Sequence, residues 1–224
     1  MPCDQCFGIE QEFDGRTVRR EQRDYRRKGA PTTTRMLIEA LLRAGVDGRS
    51  LLDIGGGVGA VQHALLQAGA SRAQSVDAST AYLEIARQEA DRLGLADRIE
   101  AVHGDFVRVA ASVATADIVT LDRVICCYHD MRRLVAESAG RARRLYGLVY
   151  PRDIWWLRPA FRLMNLFLRL RRSSFRTFLH STADVEAELA QHGLRRTFHR
   201  NMGMWQVAVF SVGRLAAEID RGIP

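Results

Sequence analysis

Three acids that each close a short apolar run, with a glycine-rich turn behind the first, are the residues of this sequence best suited to chemistry. Leu51-Leu52-Asp53-Ile54-Gly55-Gly56-Gly57-Val58-Gly59 reads as a strand, a glycine turn and the start of a helix. Glycines there let a ligand approach the backbone, and the amides opening the helix offer donors to a carboxylate or a phosphate. Read alone, Gly55-x-Gly57-x-x-Ala60 also fits a nicotinamide dinucleotide fingerprint. Asp53 points elsewhere, because a carboxylate inside the strand end would hold the ammonium group of an amino-acid ligand and repel a pyrophosphate. Asp77, with Ala78 beside it, closes the second run 22 residues after Gly55 and suits both hydroxyls of a ribose as a bidentate acceptor. Gly104-Asp105-Phe106 closes the third. Asp105 can accept from an exocyclic amine, and Phe106 offers a ring face to adenine.

A second group of candidates follows the fourth apolar run. His129 and Tyr128 stand where a general base could reach an acceptor, although Tyr128 equally suits packing and His129 a helix cap. Cys126-Cys127 reads either as a pair of small buried hydrophobes or as part of a substrate pocket. Cys3-x-x-Cys6 is half of a zinc site and has no partner pair at metal spacing, so no metal is expected.

The elements needed to position these groups are legible as periodicity. A helix with apolar face Met36, Leu37, Ala40, Leu41 and Ala44, capped by Thr32, Thr33 or Thr34, ends at Gly45. Strands then alternate with helices: strand 50–54, helix 58–68, strand 73–76, helix 80–93, strand 99–102, strand 117–121, helix 131–144 and strand 145–150. Apolar strands alternating with amphipathic helices imply an α/β fold with a mostly parallel sheet covered on both faces. Ligands of such sheets sit beyond the carboxyl ends of the strands, where strand order reverses. The tail departs from the alternation. A helix over 182–191 is followed by strands 195–200 and 205–212 around an Asn201-Met202-Gly203 turn, which suits an antiparallel hairpin.

The ordered set Asp-x-Gly-Gly-Gly-x-Gly, Val-Asp-Ala-Ser and Gly-Asp-Phe, each at a strand end, resembles the class I S-adenosylmethionine (SAM)-dependent methyltransferases over residues 32–213. That resemblance implies a Rossmann-like, seven-stranded sheet whose last strand is antiparallel, with SAM as cofactor. By position it assigns Asp53, Gly55, Gly56, Gly57 and Gly59 to the methionine part, Asp77 and Ala78 to the ribose, and Asp105 with Phe106 to the adenine. Asp122 would approach the cofactor's amino-acid end. A second resemblance, to magnesium-protoporphyrin methyltransferases, rests on Leu121-Asp122-Arg123-Val124-Ile125-Cys126-Cys127-Tyr128 and on Tyr25-Arg26-Arg27. It adds Tyr25 to the cofactor set and Cys127 to the substrate pocket. This chain has Cys127 where that family has histidine and His129 where it has proline, and the segment is one residue longer.

Residues 1–31 read as an amino-terminal arm with some helix, and 32–224 as the catalytic domain with a lid-like insertion at about 152–181. In the insertion, Arg158, Arg162, Asn165, Arg169 and Arg172 recur at helical spacing on one face, and Phe161, Met164, Phe167 and Leu168 on another. The apolar face would meet a hydrophobic acceptor, with Arg158 and Arg162 meeting its carboxylates. Ordinary docking of the helix, or a resting place on an anionic membrane, fits the same pattern.

Size and composition bound these readings. The 224 residues suffice for one well-buried core, and 47% hydrophobic with 26% charged residues is ordinary globular composition. No apolar run approaches the ~20 residues of a membrane span, and Met1–Asp14 lacks the pattern of a secretory leader, so a cytoplasmic address is expected. A net charge of +7 and a pI near 9.8 favour anionic partners. The expected partner is a small-molecule acceptor, porphyrin-like O-methylation being the leading specific case. The rival readings are an RNA methyltransferase and a noncatalytic SAM-binding protein. Against RNA, Asp122-Arg123-Val124-Ile125 stands where base-amine methyltransferases carry Asn/Asp-Pro-Pro-aromatic. A nicotinamide dehydrogenase would need a separate catalytic domain. Oligomeric state is not encoded in any recognisable pattern.

Overall fold

Ser50–Ile54 (β1) is buried at all five positions, which is stable only in a strand covered on both faces. In the computed structural model, which describes residues 8–10, 12 and 15–213, β1 lies in the interior of a seven-stranded sheet. The other strands are Arg72–Asp77 (β2), Ile99–His103 (β3), Ala116–Asp122 (β4), Ala142–Pro151 (β5), Leu194–Met202 (β6) and Trp205–Val212 (β7). Their order is β3-β2-β1-β4-β5-β7-β6. Strands β1 to β5 pair in parallel, and β7 runs antiparallel to both β5 and β6. The mostly parallel sheet with a reversed last strand is therefore as the sequence implied.

Among the described residues the helices are Gly15–Lys28 (α1), Thr32–Ala44 (α2), Ala60–Gln67 (α3), Thr80–Leu93 (α4), the single turn Phe106–Val109 (α5), Met131–Ala139 (α6), Leu157–Leu170 (α7) and Thr182–Gln191 (α8). Leu37 and Leu41 of α2 and Leu65 and Leu66 of α3 pack on one face of the sheet with Leu51 and Ile118. Leu134 and Val135 of α6 and Val185 and Leu189 of α8 pack on the other with Leu52 and Val119. Adjacent residues of one strand feeding opposite cores is the two-residue period of a strand.

Four boundaries differ from the sequence reading, each for a local reason. The helix expected over 131–144 stops at Ala139, and Ala142, Arg143 and Arg144 open β5 instead. Pairing of Ala142 with Ala116 claims that backbone, and Arg143 reaches Asp117 (3.4 Å) on the adjacent β4 and Ser50 Oγ (3.0 Å) on β1 beyond it. The glycine-loop helix begins at Ala60 because Gly59 caps it in the left-handed conformation (φ 83°). Pro31, with none of the three threonines, occupies the N-cap of α2. In the hairpin Met202 pairs with Trp205, so the turn is Gly203-Met204, and Asn201 and Met202 belong to β6.

The amino-terminal helix is tied to the sheet domain by one buried acid. Glu89 of α4 accepts from Gln22 Nε2 (2.7 Å), Arg26 Nε (2.6 Å) and Arg92 Nε (2.9 Å). Burial opposes its ionisation, and the hydrogen bonds from Arg92, Arg26 and Gln22 outweigh that, holding its carboxyl below the ordinary value. Replacing Glu89 with Ala strands Gln22 and Arg26 and should cost about 3 kcal/mol. Hydrogen exchange of residues 15–28, read against the rest of the fold, checks it: α1 should lose protection first.

Candidate active site

Strand order reverses between β1 and β4: β1 continues toward β2 and β3 on one side, β4 toward β5 on the other. The carboxyl ends of strands diverge there and leave a crevice. A cavity of about 1070 Å³ opens at that point, lined by Gly55, Gly56, Gly57, Asp77, Ala78, Asp105, Phe106, Asp122, Tyr128 and Tyr25 among others. Of the residues expected to meet the cofactor, Asp53 and Gly59 alone do not line it.

Both exceptions have a structural explanation. Asp53 is fully buried and accepts from Thr120 Oγ1 through Oδ1 (2.6 Å). Its Oδ2 lies 2.6 Å from where a β-carbon on Gly56 would stand. The carboxyl thus supports the glycine turn from behind and does not reach an ammonium group directly, which corrects the expected contact. Burial raises its pKa to about 7, against the Thr120 hydrogen bond and with help from Asp122 and Asp77. Gly59 serves as the left-handed cap of α3, where a β-carbon would strike the His63 ring.

Asp77 faces the cavity from the end of β2. Its Oδ1 accepts from Ser79 N (2.9 Å) and its Oδ2 from Gly57 N (3.3 Å), so the acid and the glycine turn fix each other. Gly57 adopts φ 56°, a conformation side chains resist. Burial lifts the Asp77 carboxyl to about 6 despite those amides. Asp105 caps α5 through Val107 N (3.1 Å) and accepts from Tyr128 Oη (3.0 and 3.2 Å). The cradle fits the adenosyl part of SAM: a bare loop without β-carbons, a fixed carboxylate beside it, and an acid with an aromatic ring beyond.

The acceptor side differs more from expectation. His129 is exposed, stacks on Tyr128 (5.1 Å between ring centroids) and does not line the cavity. It is therefore not placed to act as a base. Tyr128 lines the cavity, but its hydroxyl is engaged by Asp105. Cys127 does line the cavity, as does Cys126, their sulfurs 3.7 Å apart. Arg158 and Arg162 are exposed and outside the lining, Arg158 pairing with Asp153 (3.2 Å). Their proposed contact with a substrate carboxylate is not supported by this geometry. Among the described residues no group of three or more His, Cys, Asp or Glu gathers as a metal site; Cys3 and Cys6 lie outside the described residues.

Arg123 is the functional candidate that the sequence did not disclose. It adopts φ 61°, uncommon for a non-glycine residue. Its Nε donates to Asp122 (3.1 Å), its Nη2 to Thr34 Oγ1 (3.3 Å), and its guanidinium stands 6.0 Å from the Trp205 ring centroid. Thr34 also donates to Asp122 Oδ2 (2.5 Å). Glu21 and Tyr82, joined by a 2.7 Å hydrogen bond, close another wall. These residues come from α1, α2, α4 and the start of β7, and no local motif announces them. Arginine directly after a strand-ending acid was the single available signal.

Strand order, one reversed strand and a glycine turn flanked by strand-end acids define the class I methyltransferase fold. Residues 52–144 match the model of the methyltransferase domain family, and the fold around them is that of the class I methyltransferases, a family whose cofactor is SAM. It is similar to a cypemycin N-terminal methyltransferase of Streptomyces sp., 46% identical over 102 residues. That match covers 45% of this chain and 39% of the relative, so it spans about two-fifths of the relative's length. Among solved structures it is similar to magnesium protoporphyrin IX methyltransferase from Synechocystis PCC 6803 with bound SAH, with TM-score 0.70 and 18% identity over 91% of this chain and 97% of that one. An O-methyltransferase family protein from Burkholderia thailandensis gives TM-score 0.66 and 16% identity, over 88% and 60% of the respective chains.

The Asp53 carboxyl has a stability consequence with a definite sign. A carboxyl of ordinary pKa near ~4 ionises freely in the unfolded chain, whereas in the fold it ionises near 7. Between those values the folded state keeps a proton the unfolded state has lost, so stability falls as pH rises through that window. Without ligand, the melting temperature should drop between pH 5 and 8, and Asp53→Asn should flatten that drop; thermal melts across the range check it.

Proposed function

We propose that this protein transfers the methyl group of SAM to a small apolar molecule, a carboxylate oxygen being the leading acceptor and a porphyrin-like propionate the leading specific case. One observation carries this reading. The cavity that holds the adenosyl cradle continues, without a dividing wall, to Leu157, Ala160, Phe161 and Met164 of α7 and to Trp205. Its volume of about 1070 Å³ exceeds the needs of one drug-sized ligand, so cofactor and acceptor can share it.

SAM supplies a methyl group on a positively charged sulfur, open to in-line attack by a lone pair. Asp77 would take the ribose and Asp105 the adenine amine, while Asp122 would border the amino-acid end. The segment carrying α7 would act as the lid over the acceptor, holding it in line and excluding water. Among the described residues no histidine lines the cavity. A carboxylate suits such a site, because it is already ionised at neutral pH and needs no base. Arg123 is the cation closest in sequence to the cofactor-side acid, and is the residue we assign to the acceptor's carboxylate.

A second reading has a specific observation behind it: the 46% identity over 102 residues with a peptide N-terminal methyltransferase. An amine acceptor would find Glu21 and Asp24 on the cavity wall. The two readings part on pH. A carboxylate acceptor gives a rate flat above about pH 6, whereas an α-amine gives one that climbs through about pH 8 as the amine loses its proton.

Two outcomes follow. Asp77→Ala should weaken SAH binding by about 30- to 100-fold, the loss of charge-assisted hydrogen bonds to a diol, as read by titration calorimetry. Arg123→Met should raise KM for a carboxylated apolar acceptor by about tenfold or more with SAH affinity nearly unchanged; an equal loss on both ligands would place Arg123 on the cofactor instead.

A further inference from the structure

The outer face of α7 is the most exposed apolar surface among the described residues. Nine large apolar side chains are exposed among the described residues, and seven of them lie between Trp155 and Leu170. At ~3.6 residues per turn, Leu157 and Leu168 fall on the inner side, where both are buried. Leu163, Leu166 and Leu170 fall on the opposite side with Phe167 at its flank, and Leu163 and Leu170 are 68% and 76% exposed. Arg158, Arg162 and Arg169 form one stripe between the two. The helix is apolar on two sides and basic along a third strip. A helix that is apolar nearly all round and still exposed lacks part of its surroundings.

The charge selects the occupant. No Asp or Glu occurs between Asp153 and Asp184, and six arginines do. A second copy of the same helix would set arginine against arginine. An anionic surface with an apolar interior meets both features at once. Trp155, 81% exposed, and Trp156 stand at the amino-terminal end of the helix, and indoles favour the boundary between headgroups and acyl chains. Arginine stems lie along apolar material while their guanidiniums reach phosphates. At 14 residues α7 is too short to span a bilayer, and no described helix is long and apolar enough to cross one. It suits lying in the interface.

We propose that α7 docks on an anionic lipid surface through Leu163, Leu166, Phe167 and Leu170, with its arginine stripe on the headgroups. The inner side of the same helix, at Leu157, Ala160, Phe161 and Met164, lines the cavity. Docking therefore sets the helix that walls that cavity on the acyl layer, where an apolar molecule would already be dissolved. The surface stands on its own whichever acceptor is methylated.

Flotation of the full chain with vesicles tests this. Phosphatidylcholine vesicles containing phosphatidylglycerol are compared with phosphatidylcholine alone at about 100 mM salt. The expected result is binding to the anionic vesicles, loss of binding as salt rises, and a blue shift of tryptophan emission on binding. Leu163→Glu with Leu170→Glu, which touch neither core nor cavity, should cut the vesicle-bound fraction by about tenfold, while SAH affinity and melting temperature stay unchanged. Arg162→Gln with Arg169→Gln should weaken binding to anionic vesicles in the same direction. Absence of binding, equal binding to neutral vesicles, or a concentration-dependent dimer abolished by the double Glu variant would each overturn the proposal.

Discussion

A carboxyl buried directly beneath a bare stretch of backbone is the constraint on which the rest of the site depends. Asp53 Oδ2 occupies the place that a side chain on Gly56 would need, so the loop lies directly over the acid, with Gly55 and Gly57 still lining the cavity. Gly57 then binds Asp77, and Asp77 is fixed at the end of the next strand. A loop lifted by a side chain would lose the acid below, the acid beside it and the approach of a ligand together. Burial of Asp53 and the openness of the loop are one feature seen from two sides.

Around this point the sheet distributes its tasks by side. The acids of the adenosyl end follow β2 and β3: Asp77 closes β2 opposite His103, and Asp105 stands two residues past His103 as the cap of α5. β4 carries Asp122, with Arg123 forced into a left-handed turn so that its guanidinium returns toward Thr34 and Trp205. The reversed strand β7 adds Trp205 from beyond β5. Helix α1, held by Glu89, covers the opening with Glu21, Asp24 and Tyr25. The cavity is therefore built from both ends of the chain, with polar contacts on one side and an apolar wall from α7 on the other.

Much of this was legible in the sequence. Asp77 and Asp105 closed apolar runs, and residues at strand ends in a parallel sheet have one place to go. The orientation of Asp53 was also open to reading, since it shares the face of Leu51 by alternation and that face is covered by α2 and α3. What could not be read was long-range. Thr34 resembled a helix cap until Asp122, 88 positions away, claimed its hydroxyl. His129 lay beside the right strand end, but the turn at Ile125–Cys127 sends its ring outward. In the 157–170 helix the leucines at 163, 166 and 170 had the spacing of a second apolar face, which the stronger arginine periodicity concealed.

The central claim is that adenosyl cradle and acceptor wall belong to one continuous cavity. A crystal structure of the protein with S-adenosylhomocysteine measures it directly. The account requires ribose hydroxyls on Asp77, the adenine edge at Asp105, and the sulfur facing open space bounded by Arg123, Cys127 and the inner side of α7. A ligand found with its adenine under α7, or bound away from the Gly55–Gly57 turn, would contradict it.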